Sequence, residues 1–268
     1  MMVLIVGLLP FDSGKTSLAV SLISEALERG MDVGVVKPVT AFSGWYQYSS
    51  VLRSVEMGKL VGEDVYRLHV HARSGDPIEL ESPVVFMHMP PDPERVEWKS
   101  SYYTAMSLNE QIVALRIGSN HHYVPANLNR LTGAMRRVAR RLIETLKPTP
   151  LDDVGDVLLK LGEFANDSVE EIAKRHEMTV VESYNNASAP TWSSLNADAV
   201  VLVAPSKVAI YEGERYRKAV ELLLKPPWLV SSEEVVSLLS PLRTMEIEPT
   251  TRREGAWARG LLELLQVI

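Results

Sequence analysis

The sequence predicts an α/β fold: a doubly wound, mostly parallel sheet flanked by helices in three Rossmann-like layers, with an elaboration inserted in its middle. Three observations lead there. Short apolar, β-branched runs recur at Val3-Leu4-Ile5-Val6, Val33-Gly34-Val35-Val36, Met178-Thr179-Val180-Val181 and Ala199-Val200-Val201-Leu202-Val203, which is how strands buried on both faces of a parallel sheet read. Stretches of helical period alternate with them. The 268 residues are 46% hydrophobic and 23% charged, enough apolar material for a sizeable core and too little polarity for a disordered chain.

The elements follow in order. After the first strand and Gly7, the period changes at Lys15, where Leu18, Leu22, Ile23, Ala26 and Leu27 fall on one helical face and Gly30 supplies a C-terminal stop. A strand, a loop, a helix and a second strand at Val33–Val36 make a unit that demands a parallel sheet and a right-handed crossover. Ser168 with Glu171 reads as a capping box for a helix over Val169, Ile172 and Ala173. Helices over Tyr216 to Leu224 and Trp257 to Leu265 complete the alternation. In the middle, Pro90-Pro91-Asp92-Pro93 breaks the chain, Gln111 to Ile117 and His122 to Val124 flank a Gly118-Ser119-Asn120 turn, and Asn129 to Leu146 reads as one amphipathic helix. The whole reads as a single domain over 1–268 with an insertion at about 95–150.

Composition excludes several function classes. Without cysteine there is no disulfide framework, thiolate zinc site, iron–sulfur cluster or cysteine nucleophile, and a cytoplasmic location is expected. No run approaches the roughly 18 apolar residues of a membrane span, and Met1 to Leu9 lacks the charged start of a signal peptide. With 28 Lys+Arg against 34 Asp+Glu the net charge is −6, so a nucleic-acid partner is not expected, although a local basic patch stays open.

The chemistry-bearing motif is Asp12-Ser13-Gly14-Lys15-Thr16-Ser17, between the first strand and its helix. Gly-Lys-Thr there is the ending of a Walker A loop. Backbone N–H groups and the helix N-terminus cradle phosphate oxygens, the lysine reaches the β- and γ-phosphates, and the threonine hydroxyl binds Mg²⁺. The standard loop has four residues between its glycines, whereas six separate Gly7 from Gly14. A surface turn is the other reading of the bare tripeptide; the strand before it and the helix after it favour nucleotide binding.

Further features follow in a set order: Lys37-Pro38-Val39 after the second strand, Gly62-Glu63-Asp64-Val65 opening a helix, Ser82-Pro83 ahead of Pro90-Pro91-Asp92-Pro93-Glu94, Val181-Glu182-Ser183-Tyr184 ending a strand, and Pro205-Ser206-Lys207 beyond Val203. The series resembles dethiobiotin synthetase and its relatives among the cobyrinate amidating enzymes, a branch of the P-loop NTPases with deviant Walker A loops. The resemblance covers most of the chain, interrupted by the insertion. The family's loop reads Gly-Thr-Asp-Thr-(Glu/Asn)-Val-Gly-Lys-Thr, so Asp12 to Thr16 match its second half and Gly7 its start, with one extra residue between.

The resemblance implies an enzyme using ATP and Mg²⁺, with Asp12, Ser13, Gly14, Lys15, Thr16 and Ser17 binding the nucleotide and Thr16, Asp64 and Glu182 binding the metal. Lys15, Lys37 and Lys207 would be the catalytic lysines facing the phosphoryl group and an unidentified small-molecule acceptor; a homodimer is also implied. Mg²⁺ takes one or two carboxylates beside hydroxyl, water and phosphate oxygens, so an acid at a strand's C-terminal end is a sensible ligand. Helix capping is the other reading of Asp64, and a solvated loop lysine that of Lys37 and Lys207. The family's glycine-rich turn after the strand-end glutamate is here Ser183-Tyr184-Asn185-Asn186-Ala187, which puts side chains where glycines leave room.

The reaction implied is transfer of the γ-phosphate to a carboxylate or carbamate, followed by amine attack to form a C–N bond. Two alternatives stand beside it. One is an ATPase or GTPase that acts as a switch for a protein partner; the absence of Asn-Lys-x-Asp tilts the base toward adenine. The other is a polynucleotide kinase, with Arg130, Arg136, Arg137, Arg140 and Arg141 tracking phosphates, against which stands the ordinary polar face of an amphipathic helix. His69, His71, His121 and His122 are candidate metal ligands, and Trp45, Tyr46 and Tyr48 could line a pocket or a subunit contact.

Overall fold

The computed structural model describes residues 1–104, 108–248 and 256–267. Among them the strands are β1 (Met2–Gly7), β2 (Val33–Val36), β3 (Val39–Ser43), β4 (Val84–His88), β5 (Ile112–Ile117), β6 (Asn120–Tyr123), β7 (Thr149–Pro150), β8 (Met178–Glu182), β9 (Ala199–Ala204), β10 (Lys207–Glu212) and β11 (Arg243–Glu246). The chain is α/β and divides into two compact units, one built from residues 1–39, 64–82 and 161–268, the other from 40–63 and 83–160.

The first unit holds a six-stranded sheet in the order β11-β10-β9-β1-β8-β2. Strands β9, β1, β8 and β2 are parallel, and β10 and β11 extend the sheet antiparallel. Strand β1 alternates its side chains between two cores. Val3 and Ile5 pack with Leu18, Leu22, Ile23 and Ala26 of the helix Lys15–Glu28 and with Leu261, Leu262 and Leu265 of the helix Ala256–Leu265. Leu4 and Val6 pack on the other face with Val169 and Ile172 of the helix Leu161–Arg175 and Tyr216 and Val220 of the helix Gly213–Leu222. Helices on both faces of a parallel sheet make three layers, which is why these strands are apolar without alternation.

The helix after β1 ends as its sequence requires, with Gly30 at φ +76 just beyond it. The capping box expected at Ser168 and Glu171 does not form: the helix already begins at Leu161, and Ser168 is buried in its interior. Gly162, a poor helix former, hides that start; it lies so close to Trp228 that a Cβ would come within 2.1 Å of its ring.

The second unit has its own sheet, ordered β3-β4-β5-β6-β7, in which β4 and β5 pair antiparallel, β5 and β6 pair antiparallel, and β7 is parallel to β6. Its core gathers Phe42, Val51, Leu60, Val85, Met87, Val113, Met135, Ala139 and Leu142. The insertion expected at about 95–150 is therefore part of a larger body that also takes in 40–63, 83–94 and 151–160; its residues 105–107 lie outside those described. The helix expected over Asn129–Leu146 starts at Gly133, where the Thr132 hydroxyl accepts from the Met135 N–H at 3.2 Å.

Candidate functional site

Five of the predicted site residues meet at the C-terminal ends of β1, β2 and β8 in the first unit. The loop after β1 turns through two left-handed residues, Asp12 (φ +54) and Gly14 (φ +92), and delivers Lys15 as the first residue of its helix. The Ser13 hydroxyl closes the loop by donating to the Leu9 carbonyl and accepting the Leu9 N–H, both at 3.0 Å. Gly7 is needed here for space. A Cβ at that position would lie 2.7 Å from Ser13 Oγ and 2.8 Å from Lys15 Nζ, so the lysine ammonium folds into a concavity that only glycine leaves open.

Lys15 Nζ donates to the Asn185 carbonyl at 2.6 Å. Burial, and then the neighbouring Lys37 charge, bring its pKa down to about 8. One residue on, the Thr16 hydroxyl donates to Oε1 of Glu182, the last residue of β8, at 2.8 Å. Lys37, one residue past β2, donates to the same Oε1 and also pairs with Asp64 Oδ2 at 3.0 Å. The Lys37 and Glu182 side chains are 5% and 1% exposed, so this ion pair is buried, while Asp64 opens partly to solvent. Burial disfavours the Lys37 ammonium, but the two carboxylates outweigh it and hold its pKa up. For Asp64 the order is the same: burial raises it, and Lys37 brings it down on balance.

The backbone places these groups. Asp64 sits in the first turn of the helix Glu63–Ala72, and the Lys37 N–H donates to the Glu81 carbonyl at 2.8 Å, which fixes the chain leaving β2. Asp12 and Ser17 are exposed on either side of the loop. Lys207 is not among the groups brought together: it is exposed at the start of β10, paired in register with Ala204 and Glu246.

The donor set suits a hard divalent cation. A hydroxyl and two carboxylates, all oxygen, converge on one locus, and Glu182 Oε2 is buried with no hydrogen-bond partner among the described residues. No group of three or more His, Asp or Glu able to hold a metal occurs among the described residues. The histidines are engaged elsewhere. His69 Nδ1 meets Glu81, His71 Nδ1 the Arg67 carbonyl, His121 Nε2 accepts the Leu60 N–H, and His122 meets Thr149.

Sequence reasoning missed three participants. Asn185 enters through its carbonyl and sits at φ +45, a contact no side-chain motif announces. Ser232 donates to the Gly7 carbonyl from 225 residues away, and Glu81 supports Lys37 by its backbone. Among the described residues no helix is long and apolar enough to cross a membrane. Comparison with protein-family models, with curated proteins and with solved structures finds no match for this chain.

Proposed function

We propose that this chain binds ATP with Mg²⁺ at the loop between Gly7 and Thr16 and transfers the γ-phosphoryl group to a carboxylate or carbamate on the way to a C–N bond. The observation that carries the reading is the Thr16–Glu182 hydrogen bond at 2.8 Å, made at the end of a parallel strand beside a buried lysine that leads a helix. A hydroxyl, a strand-end carboxylate and a loop lysine are the parts with which a phosphate loop holds a triphosphate and its metal.

Thr16, Asp64 and Glu182 would hold the cation, which when bound neutralises charge on the β- and γ-phosphate oxygens. Lys15 reaches those oxygens from the helix N-terminus, whose N–H groups favour anions. Lys37 is the second positive charge of the site. In the reaction an acceptor carboxylate oxygen bonds to the γ-phosphorus as the bond to the β–γ bridging oxygen breaks, and ADP leaves with that electron pair. An amine then attacks the acyl carbon, inorganic phosphate leaves, and the amine gives up a proton to a base. Positioned ammonium groups stabilise the charge that moves in the first step. The side chains of 183–187 in place of a glycine-rich turn set an acceptor different from that of dethiobiotin synthetase.

The Lys15–Asn185 bond favours a second reading, in which the loop after β8 responds to nucleotide and signals to a protein partner. Calorimetry with MgATP tests the common premise. Trapping by hydroxylamine separates the two: an acyl phosphate yields a hydroxamate in step with ADP, whereas a switch yields ADP and phosphate alone. Sedimentation with and without nucleotide tests the dimer.

A further inference from the structure

The site contains an ammonium group where the proposed function needs a metal. Lys37 Nζ bonds Glu182 Oε1 and lies 3.0 Å from Asp64 Oδ2, and Thr16 donates to that same Glu182 oxygen at 2.8 Å. All three groups assigned to Mg²⁺ are thus in contact with Lys37 or with the oxygen it holds. From this juxtaposition we infer that Lys37 is the site's built-in counter-cation: it competes with the divalent metal for Glu182 and Asp64, and yields them only when nucleotide phosphates offer it a new anionic partner. The inference rests on the nucleotide reading and adds an obligatory order of assembly to it.

The physical argument has three steps. First, Glu182 is almost fully buried, and a buried carboxylate requires a partner; Lys37 and Thr16 supply it, leaving Oε2 unpartnered among the described residues. Second, a doubly charged cation placed on these oxygens with Lys37 in position would set like charges side by side at the buried Glu182. Lys37 must therefore move for the carboxylates to accept a metal. Third, Lys37 is itself buried, so it cannot retire to water without losing its compensation. The lysine stem is flexible over four carbons, and Lys15, whose ammonium feels the Lys37 charge, marks where a phosphate tail would be held. Phosphate oxygens bound to Lys15 are the anions nearest to hand.

A coupling of this kind is reciprocal: if nucleotide tightens metal binding, metal tightens nucleotide binding by the same factor. It also means that the site does not fill with divalent cation when no nucleotide is present. Lys37 would act as a positioning residue before phosphoryl transfer, holding the metal ligands in register and partly compensating their charge.

The test uses the full chain and Mn²⁺ as probe, read by electron paramagnetic resonance, with a non-hydrolysable ATP analogue. For the wild type the expected result is weak Mn²⁺ binding alone and binding at least tenfold tighter with the analogue. Lys37→Met, similar in length and uncharged, should bind Mn²⁺ alone at least tenfold more tightly than the wild type, with the coupling reduced to within about twofold. Lys37→Arg should retain the coupling. Wild-type Mn²⁺ affinity that is equal with and without the analogue overturns the inference, as does a Lys37→Met protein that is folded by circular dichroism and binds Mn²⁺ no better. If Lys37→Met does not fold, the wild-type coupling alone decides. Analogue affinity measured in EDTA keeps the two hypotheses apart: no binding there or with metal sinks the nucleotide reading, whereas binding without coupling sinks only the inference.

Discussion

The hydroxyl of Thr16 donates to Glu182 Oε1 across 2.8 Å, joining the first turn of one helix to the end of a strand 166 residues further along the chain. That bond ties the loop after β1 to the neighbouring parallel strand, and its loss should be measurable. Thr16→Val keeps the shape and removes the donor. Net hydrogen bonds to a charged group contribute about 1.5–3 kcal/mol, so the urea midpoint should fall accordingly and MgATP affinity should drop at least tenfold. Unchanged MgATP affinity would argue against a metal-binding role for this threonine.

Lys15 offers the most direct check on chemistry. Removing one preorganised positive or hydrogen-bonding group at a transferring centre typically costs about 10²–10³ in turnover. Lys15→Ala should lose ATP turnover by that factor while melting at nearly the wild-type temperature, because the hydrogen bond it gives up, to the Asn185 carbonyl, is offset by relief of a buried charge. Turnover at the wild-type rate would remove Lys15 from the mechanism.

Space at Gly7 gives a prediction about shape. Gly7→Ala puts a methyl group 2.7 Å from Ser13 Oγ and 2.8 Å from Lys15 Nζ. Nucleotide affinity should fall by more than tenfold with a stability loss of about 1–3 kcal/mol. Gly213→Ala is expected to be harsher, since its Cβ would lie 1.6 Å from the backbone carbonyl oxygen of Ala197, which cannot swing aside. A loss of about 3 kcal/mol or more is expected, seen as failure to refold or a large drop in melting temperature.

Two histidines make stability depend on pH. For His69 the hydrogen bond to Glu81 is the leading cause of a raised pKa; for His176, burial acts downward but Asp76 at 2.7 Å and Asp32 at 3.0 Å raise it on balance. A histidine held above its unfolded value of about 6.5 adds stability that is full below that pH and disappears as pH rises through the folded value. Urea midpoints should therefore decline from about pH 6.5 upward. The double variant His69→Gln, His176→Gln should be flat over that range; a decline as steep as the wild type's would show that other groups are responsible.

The arginine helix Gly133–Leu146 carries Arg136, Arg137, Arg140 and Arg141 with a single acid, Glu144. Arg137, Arg140 and Arg141 form no ion pair among the described residues, and their outward face is opposite Met135, Ala139 and Leu142. Arg137→Glu would pair with Arg141 one turn on and remove the like-charge pair that the two arginines make, adding about 0.5–1 kcal/mol. A rise in melting temperature of roughly 1–4 °C is expected; a fall would mean that Arg137 has a stabilising role not evident from its surroundings.

The first unit was legible because its signals are local. Each parallel strand is a short apolar run, each helix has its period, and Lys15, Thr16 and Glu182 stand at strand and helix ends where the fold needs them. The second unit was not, since β3, β6 and β7 are short and partly polar, as in Asn120-His121-His122-Tyr123. Their pairing is decided by partners distant in sequence. Asp64 and Lys37 were legible as residues but not as an ion pair, because nothing in either stretch records that a helix from 63 and the end of β2 meet. Lys207 shows the converse: a lysine after a strand, read as catalytic, that lies exposed on a hairpin.

Strand β8 lies between β1 and β2, although β1 and β2 are made first and β8 only after residue 178 has been synthesised. During translation both early strands must wait on the ribosome without the neighbour that separates them, their apolar edges open to other chains. Nascent protein truncated before residue 178 should accordingly be a strong client of holdase chaperones, and release should come with the emergence of β8 and β9.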